Sequence, residues 1–128
     1  MIKRILVVED SDATRSMIVA ALDDPDRREV FEASSGFEAL RLLPHHLFDA
    51  IVTDVNMPDI NGLELIGFLK SHPQYRTIPI LVVSTEVAEA DVARAMALGS
   101  QDYVRKPFTP AEISAAVERL LRGPAASA

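Results

Sequence analysis

Residues 50–59 read AIVTDVNMPD, and in this stretch an apolar run ends on a carboxylate, Asp54. An apolar run without polar alternation, such as Ala50 to Val52, is typical of a strand covered on both faces in a parallel sheet. A carboxylate is costly to bury unless another group compensates its charge. The stretch therefore predicts a central strand whose last residue meets a partner from elsewhere in the chain.

Short apolar runs of this kind alternate with helical patterns along the whole chain. The predicted strands are residues 3–8, 28–33, 50–54, 78–84 and 102–105, and the predicted helices are 12–22, 36–43, 62–71, 88–98 and 110–122. This alternation predicts an α/β fold with a doubly wound, five-stranded parallel sheet. In such a sheet the ligand site lies at the carboxyl ends of the strands.

Several predicted helices carry recognisable end signals. Ser35 with Glu38, and Thr109 with Glu112, fit the capping box S/T-x-x-E. Gly99 follows the fourth helix, where a glycine with positive φ commonly ends a helix. These signals support the predicted boundaries.

Composition limits the class of protein. The 128 residues suffice for one domain, and 48% hydrophobic with 25% charged residues is typical of a globular chain. No apolar run approaches the roughly 18 residues of a membrane span, and no secretory signal precedes the first strand. The net charge of −6 argues against direct nucleic-acid binding, and the absence of cysteine fits a reducing compartment. We therefore predict a cytoplasmic domain without membrane insertion.

Polar residues follow four of the five predicted strands: Glu9 and Asp10, Asp54, Ser84 and Thr85, and Lys106. Each alone has an ordinary interpretation, such as a helix cap or a solvated lysine. If the strand order is 2-1-3-4-5, however, three carboxylates crowd one pocket and repel one another unless a cation lies among them. Oxygen ligands without His or Cys favour Mg²⁺.

The remaining strand-end residues suggest what the cation site does. A divalent cation, the Lys106 ammonium and the Ser84 hydroxyl around one carboxylate could hold the oxygens of a phosphoryl group. Asp54 is then a candidate nucleophile that forms an aspartyl-phosphate. Asp59, the second acid of the opening stretch, is interpreted as a turn residue.

The motifs ILVVEDS, DAIVTDVNMPDINGLEL, IPILVVST and ALGSQDYVRKPF occur in an order and spacing that resembles the receiver domains of two-component response regulators, the CheY-like superfamily. The resemblance covers about residues 3–122. It implies a flavodoxin-like (βα)5 fold, with a receiver domain at residues 1–122 and a short flexible tail at 123–128. It also implies a phosphorelay function, as a single-domain, chemotaxis-type regulator.

The resemblance implies a role for each matching position. Asp54 accepts the phosphoryl group, and Mg²⁺ is held by the carboxylates of Glu9, Asp10 and Asp54 and by the backbone carbonyl of Asn56. Glu9 stands where an aspartate is commoner.

Further roles follow from the same resemblance. Ser84 and Lys106 bind phosphoryl oxygens, and the Lys106–Pro107 peptide bond is cis. Tyr103 turns inward as Ser84 moves to the phosphoryl group, which alters the face formed by the fourth helix, fifth strand and fifth helix. A downstream protein reads this face, and a histidine kinase or phosphotransfer protein supplies the phosphoryl group.

Three positions are expected to set the lifetime of the phosphoryl group. Asn56 and Glu86 resemble the pair found in chemotaxis regulators with short-lived signals, and the bulk of Thr85 is expected to restrict access to the site. The domain is predicted to be a switch with slow self-dephosphorylation rather than an enzyme.

Other functions remain open on sequence alone. A haloacid dehalogenase-like phosphoaspartate hydrolase also has Asp at a strand end, but it needs a second Asp where this chain has Asn56. An FMN carrier needs phosphate donors in the first loop, where this chain has the carboxylates of EDSDAT. A third alternative is a receiver module of a larger DNA-binding or enzyme-output regulator.

Overall fold

The computed structural model describes residues 1–85 and 89–123. The strands are β1 (Lys3–Val8), β2 (Arg28–Ala33), β3 (Ala50–Asp54), β4 (Ile80–Ser84) and β5 (Asp102–Arg105). The helices are α1 (Asp12–Leu22), α2 (Gly36–Leu42), α3 (Gly62–Ser71), α4 (Glu89–Leu98) and α5 (Pro110–Leu121), with a 3-10 turn at Leu43–His45. Glu86 and the tail residues 124–128, which carry sequence predictions, lie outside the described residues.

The five strands form one parallel sheet in the order β2-β1-β3-β4-β5, which confirms the predicted fold. In the register, Val8 of β1 lies opposite Thr53 of β3, and Asp54 lies opposite Val83 of β4. The carboxyl ends of these three strands therefore stand side by side. We call this end of the sheet the carboxyl edge (Glu9, Asp10, Asp54, Ser84, Lys106) and the opposite end the amino edge (Lys3, Arg28, Asp49, Ile80, Asp102).

Alternating strand residues feed two separate hydrophobic cores. Ile5 and Val7 of β1 belong to the core beneath α1 and α5. Leu6 and Val8 belong to the core beneath α2, α3 and α4. Because helices cover both faces of the sheet, a polar site built from the central strands must lie at one of their two ends.

The helix caps agree with the sequence in part. Thr109 and Glu112 form the complete capping box that was predicted at the start of α5. Ser35 accepts a hydrogen bond from the Glu38 amide at 3.1 Å, as predicted. The second hydrogen bond of that predicted box, from the Ser35 amide to the Glu38 carboxylate, is wrong, because this carboxylate accepts from the amide of Ser34 at 3.0 Å instead.

Two boundaries show how turns limit the regular elements. Strand β4 begins two residues later than predicted, because the Ile78 amide bonds to the carbonyl of Tyr75 at 3.0 Å in a turn and Pro79 has no N–H. Gly99 ends α4 with a φ of 120°, as its position predicted.

Among the described residues, every helix is too short or too polar to span a bilayer.

Candidate phosphoacceptor site

Three carboxylates converge at the carboxyl edge, as the sequence predicted. Glu9 and Asp10 follow β1, Asp54 ends β3, and one carboxylate oxygen from each lies within 4.8 Å of the others. Glu9 is 1% exposed and Asp54 is 6% exposed, whereas Asp10 faces solvent. The pocket is therefore a buried pair of acids with an exposed third acid at its mouth.

Lys106 lies against the two buried acids. Its Nζ is 3.0 Å from Glu9 Oε1 and 3.5 Å from Asp54 Oδ2. Burial acts to lower the pKa of Lys106, but the hydrogen bond to Glu9 and the charge of Asp54 raise that pKa overall. The Lys106–Pro107 peptide bond is cis, as expected. Lys106 contacts two of the three carboxylates, and its single positive charge does not balance all three.

Glu9 is the most enclosed acid of the pocket. Its Oε1 accepts from Lys106, and its Oε2 accepts from the backbone N–H of Ser11 at 3.0 Å. Burial nevertheless raises the pKa of Glu9 above its usual value, and the charge of Asp54 acts in the same direction. The neighbouring acids are therefore held together against their mutual repulsion.

Ser84 contributes a buried hydroxyl with no hydrogen-bond partner among the described residues. Its backbone is tightly held, since the Ser84 carbonyl accepts from the Lys106 amide at 2.6 Å. Leaving a buried hydroxyl unpaired costs about 1–3 kcal/mol. Such a group is well suited to bind an acceptor that enters the pocket. Thr85, the next residue, is exposed.

The loop after Asp54 is fastened to α2. The Asp59 carboxylate accepts from the amides of Gly36 at 3.3 Å and Phe37 at 3.0 Å, and these bonds lower the pKa of Asp59. Asp59 is thus more than a turn residue, because it ties two distant segments together. Asn56 lies in the same loop with an exposed side chain.

Gly62 supports the backbone of Asp54 in a way the sequence analysis did not identify. A Cβ at Gly62 would lie 2.2 Å from the Asp54 carbonyl oxygen, so only glycine fits. The Gly62 amide donates to the Val55 carbonyl at 2.7 Å, and Asn61 with Glu64 forms a complete capping box on α3. The motif NGLE carries this signal, as an N-x-x-E cap with a glycine beside it.

Tyr103 lies on β5 opposite Val82 of β4, and it is 39% exposed. Its strand neighbours alternate between partly buried and exposed side chains, as expected for an edge strand. The predicted switch residue is therefore largely outward-facing in this structure. Glu86, the other residue expected to act near Ser84, lies outside the described part of the chain.

The protein-family model described as the response regulator receiver domain matches residues 5–118 of this chain. The chain belongs to the response regulator receiver domain family. Receiver domains are signalling switches rather than classical enzymes, which argues against the hydrolase alternative. They generally bind Mg²⁺ at an acidic pocket, and CheY-like receivers interact with histidine kinases and downstream targets.

Relatives of this receiver domain come from several bacteria. It is 37% identical to a chemotaxis protein CheY homolog of Campylobacter jejuni, over 92% of each chain. The solved structure of chemotaxis response regulator CheY4 of Vibrio cholerae superposes with a TM-score of 0.86 at 33% identity, covering 94% of this chain and all of that one.

A third relative differs in length. The chain is 40% identical over 126 residues to a protein of Picosynechococcus named as a probable transcriptional regulatory protein. The match covers 93% of this chain and 49% of the relative, so the chain spans about half of that protein's length. The receiver fold is therefore found both in relatives of similar length and in a longer one.

Proposed function

We propose that this receiver domain, residues 1–122, is the phosphoacceptor of a two-component system and that Asp54 takes a phosphoryl group from a histidine kinase or phosphotransfer protein. The observation that carries the proposal is the buried Ser84 hydroxyl, which has no partner among the described residues and lies at the edge of the sheet where three carboxylates and Lys106 converge. A tetrahedral anion bound to Asp54 would supply the acceptor that Ser84 lacks. Residues 123–128 are proposed as a tail outside the domain.

The pocket also fits a divalent cation. Glu9, Asp10 and Asp54 offer oxygen ligands only, and Lys106 compensates their negative charge only in part. We assign Mg²⁺ to these carboxylates and to the backbone carbonyl of Asn56. When bound, Mg²⁺ would neutralise the carboxylates and attract a phosphoryl oxygen.

The transfer itself needs little more than positioning. A carboxylate oxygen of Asp54 attacks the phosphorus of a phosphohistidine, the P–N bond breaks, and the imidazole leaves. Lys106 lies within 3.5 Å of Asp54 and can bind an oxygen of the incoming group. Ser84 donates its free hydroxyl to a second oxygen. Both residues orient the phosphoryl group without exchanging protons with it.

Labelling with acetyl phosphate and MgCl2, followed by intact-mass measurement, tests this proposal. The wild type should gain one phosphoryl group and Asp54→Asn should gain none. Asp59→Asn is the matched control, because it removes an acid of the same loop that bonds to α2 rather than to the pocket. Equal labelling of wild type and Asp54→Asn, or failure to label either, would refute the proposed role.

Tyr103 is proposed as the residue that carries the change to the surface. Engagement of Ser84 by the phosphoryl group would draw Tyr103 inward from its 39% exposed position and alter the face of α4, β5 and α5 that a downstream protein reads. The chain has two tyrosines and no tryptophan, so Tyr75→Phe leaves Tyr103 as the only source of tyrosine fluorescence. In that variant, beryllofluoride with MgCl2 should reduce acrylamide quenching. Unchanged quenching would contradict the switch.

A chemotaxis role is supported by the CheY homolog that matches most of this chain. Asn56 and Glu86 are then proposed to permit self-dephosphorylation on the timescale of a short-lived signal. Decay of labelled protein after removal of acetyl phosphate measures the lifetime, and a half-life of many hours would count against this role. A cytoplasmic location stays a prediction.

A second candidate function is the receiver half of a longer regulator. The relative of Picosynechococcus that is twice the length of the match favours it. An immunoblot of cells with antibody against this domain distinguishes the two candidates, because a longer regulator would migrate well above the 14.0 kDa of this chain.

A further inference from the structure

Arg15 has an unusual environment for an arginine near a helix start. Its side chain is only 15% exposed, although arginine is mostly exposed in folded proteins. Nη1 donates to the Glu9 carbonyl at 2.8 Å, Nε donates to Glu32 Oε1 at 3.1 Å, and Nη2 donates to Asp12 Oδ1 at 2.6 Å. One planar guanidinium thus joins α1, the end of β2 and the loop of the acidic pocket.

The contact with Glu9 fixes the backbone directly before Asp10. The Glu9 amide donates to the Ala33 carbonyl at 3.0 Å, and the Glu9 carbonyl accepts from Arg15. Asp10 itself makes no side-chain hydrogen bond or ion pair within residues 1–85 and 89–123. Its carboxylate position therefore depends on the backbone that carries it.

We infer that Arg15 is a positioning residue that holds the Glu9–Asp10 backbone so that the Asp10 carboxylate stays beside Asp54. The inference rests on the proposed cation site. It requires the flat, forked guanidinium, because the three contacts of Arg15 come from three separate nitrogens, whereas the three donors of a lysine ammonium share one nitrogen. Groups that orient metal ligands from behind typically change metal affinity 10- to 100-fold when they are removed.

An opposite effect is expected if Arg15 acts only through its charge. Arg15 offsets the carboxylates of Asp12 and Glu32, so its loss would make the surroundings of the pocket more negative. A purely electrostatic role therefore predicts tighter Mg²⁺ binding in Arg15→Gln and unchanged binding in Arg15→Lys. A positioning role predicts weaker binding in both variants.

Backbone amide NMR during titration with MgCl2 separates these roles. We expect Arg15→Lys and Arg15→Gln each to weaken Mg²⁺ about tenfold or more. Arg27→Gln is the control for loss of one positive charge, because Arg27 pairs with Glu118 at the amino edge. Tighter binding in Arg15→Gln, or wild-type binding in Arg15→Lys, would overturn the inference.

A metal-free measurement keeps the inference distinct from the proposed function. In EDTA, the heteronuclear NOE of the Asp10 amide should fall in both Arg15 variants and stay unchanged in Arg27→Gln. Equal NOE values in wild type and the Arg15 variants would overturn the positioning role. If the NOE falls in the Arg15 variants but the wild type shows no response to MgCl2, the cation site alone is refuted.

Discussion

A buried serine lies at each end of β4, and the two serines differ in their hydrogen bonding. At the amino edge, Ser100 packs beside Ile80 and its buried hydroxyl lies 3.1 Å from the Ile80 carbonyl and 3.0 Å from the Asp102 carbonyl. At the carboxyl edge, the equally buried hydroxyl of Ser84 has no partner among the described residues. One end of the strand is satisfied by the fold, and the other offers a donor for the proposed phosphoryl group.

Charges follow the same division. At the amino edge, Arg28 is 7% exposed, binds Glu118 and also donates to the Leu22 carbonyl at 3.3 Å. At the carboxyl edge, one lysine serves Glu9 and Asp54 together. Polar groups at the amino edge are therefore satisfied within the fold, and unsatisfied binding capacity is concentrated at the carboxyl edge. Substitutions at the two edges should accordingly have different consequences.

The largest expected effect is at Gly62, where the carboxyl edge tolerates no side chain. Gly62→Ala should lower the free energy of unfolding by about 3 kcal/mol or more, because its Cβ would overlap the backbone of Asp54. Urea denaturation followed by circular dichroism measures the change.

Gly67→Ala is the matched control within α3. A Cβ at Gly67 meets no atom within 4 Å, so this variant should gain about 1 kcal/mol from helix propensity. A loss at Gly62 no greater than the change at Gly67 would show that the Asp54 backbone can relax.

The next effect compares one glutamate from each edge in EDTA. The hydrogen bond from Arg28 lowers the pKa of Glu118 below its ordinary value of 4.5. Ionised Glu118 therefore stabilises the fold at pH values above 4.5, and this contribution is lost as the pH falls through the lowered pKa. At pH 7, Glu118→Gln should cost about 2 kcal/mol, because it weakens a hydrogen bond to a charged partner. The cost should shrink below pH 4.5.

Glu9 should show the opposite sign. Burial raises its pKa, so the folded protein holds this proton to higher pH than the unfolded chain, and ionised Glu9 costs stability at pH 7. Glu9→Gln should therefore stabilise the metal-free protein at pH 7, with a gain that vanishes below pH 4.5. Urea titrations across this pH range check both variants. The same sign for both glutamates would remove the distinction between the edges.

Replacing the two serines should produce a smaller difference. Ser100→Ala should lower the free energy of unfolding by about 1.5 kcal/mol, because carbonyls at the amino edge lose their donor. Ser84→Ala should raise the free energy of unfolding by about 1 kcal/mol, because it removes a buried hydroxyl that has no partner among the described residues. Thermal and urea unfolding measure both. A loss at Ser84 equal to that at Ser100 would mean that the Ser84 hydroxyl is already satisfied.

The smallest expected effect concerns access to the carboxyl edge. Thr85→Ala should speed phosphorylation by acetyl phosphate, and hydrolysis, about threefold, which is less than 1 kcal/mol of barrier. Thr85→Val keeps the bulk and should retain wild-type rates. If Thr85→Ala leaves both rates unchanged, the side chain does not restrict access.

Local sequence was enough to predict the strands, and the convergence of Glu9, Asp10 and Asp54 followed on the condition that the strand order is 2-1-3-4-5, which the structure confirms. The ends of parallel strands meet at one edge by geometry, so a strand-end position in the chain becomes a position in the site. Asp59 and Arg15 were harder to interpret, because their partners Phe37 and Glu32 come from other segments. Which carboxylate meets which donor depends on packing between loops, and spacing along the chain does not encode it.

Glu38 illustrates the same limit on a smaller scale. The pattern S-x-x-E predicts that its carboxylate returns to the cap residue Ser35, yet the carboxylate bonds one residue earlier, to Ser34. Both amides are within reach of a glutamate in the first helical turn, so the choice is decided by the orientation of the incoming strand.

The fastening of the Asp54 loop to α2 through Asp59 gives the site a direction. On the side of β2, hydrogen bonds from α2 and from Arg15 hold the loops that carry the acids. On the side of β5, the Ser84 hydroxyl has no partner in the part of the chain that the structure describes, and Tyr103 is 39% exposed. Hydrogen bonds on the β2 side therefore resist a movement of Asp54, and the polar groups on the β5 side offer less resistance. Under the proposed switch, we therefore expect displacement to run toward β5, the strand that carries Tyr103.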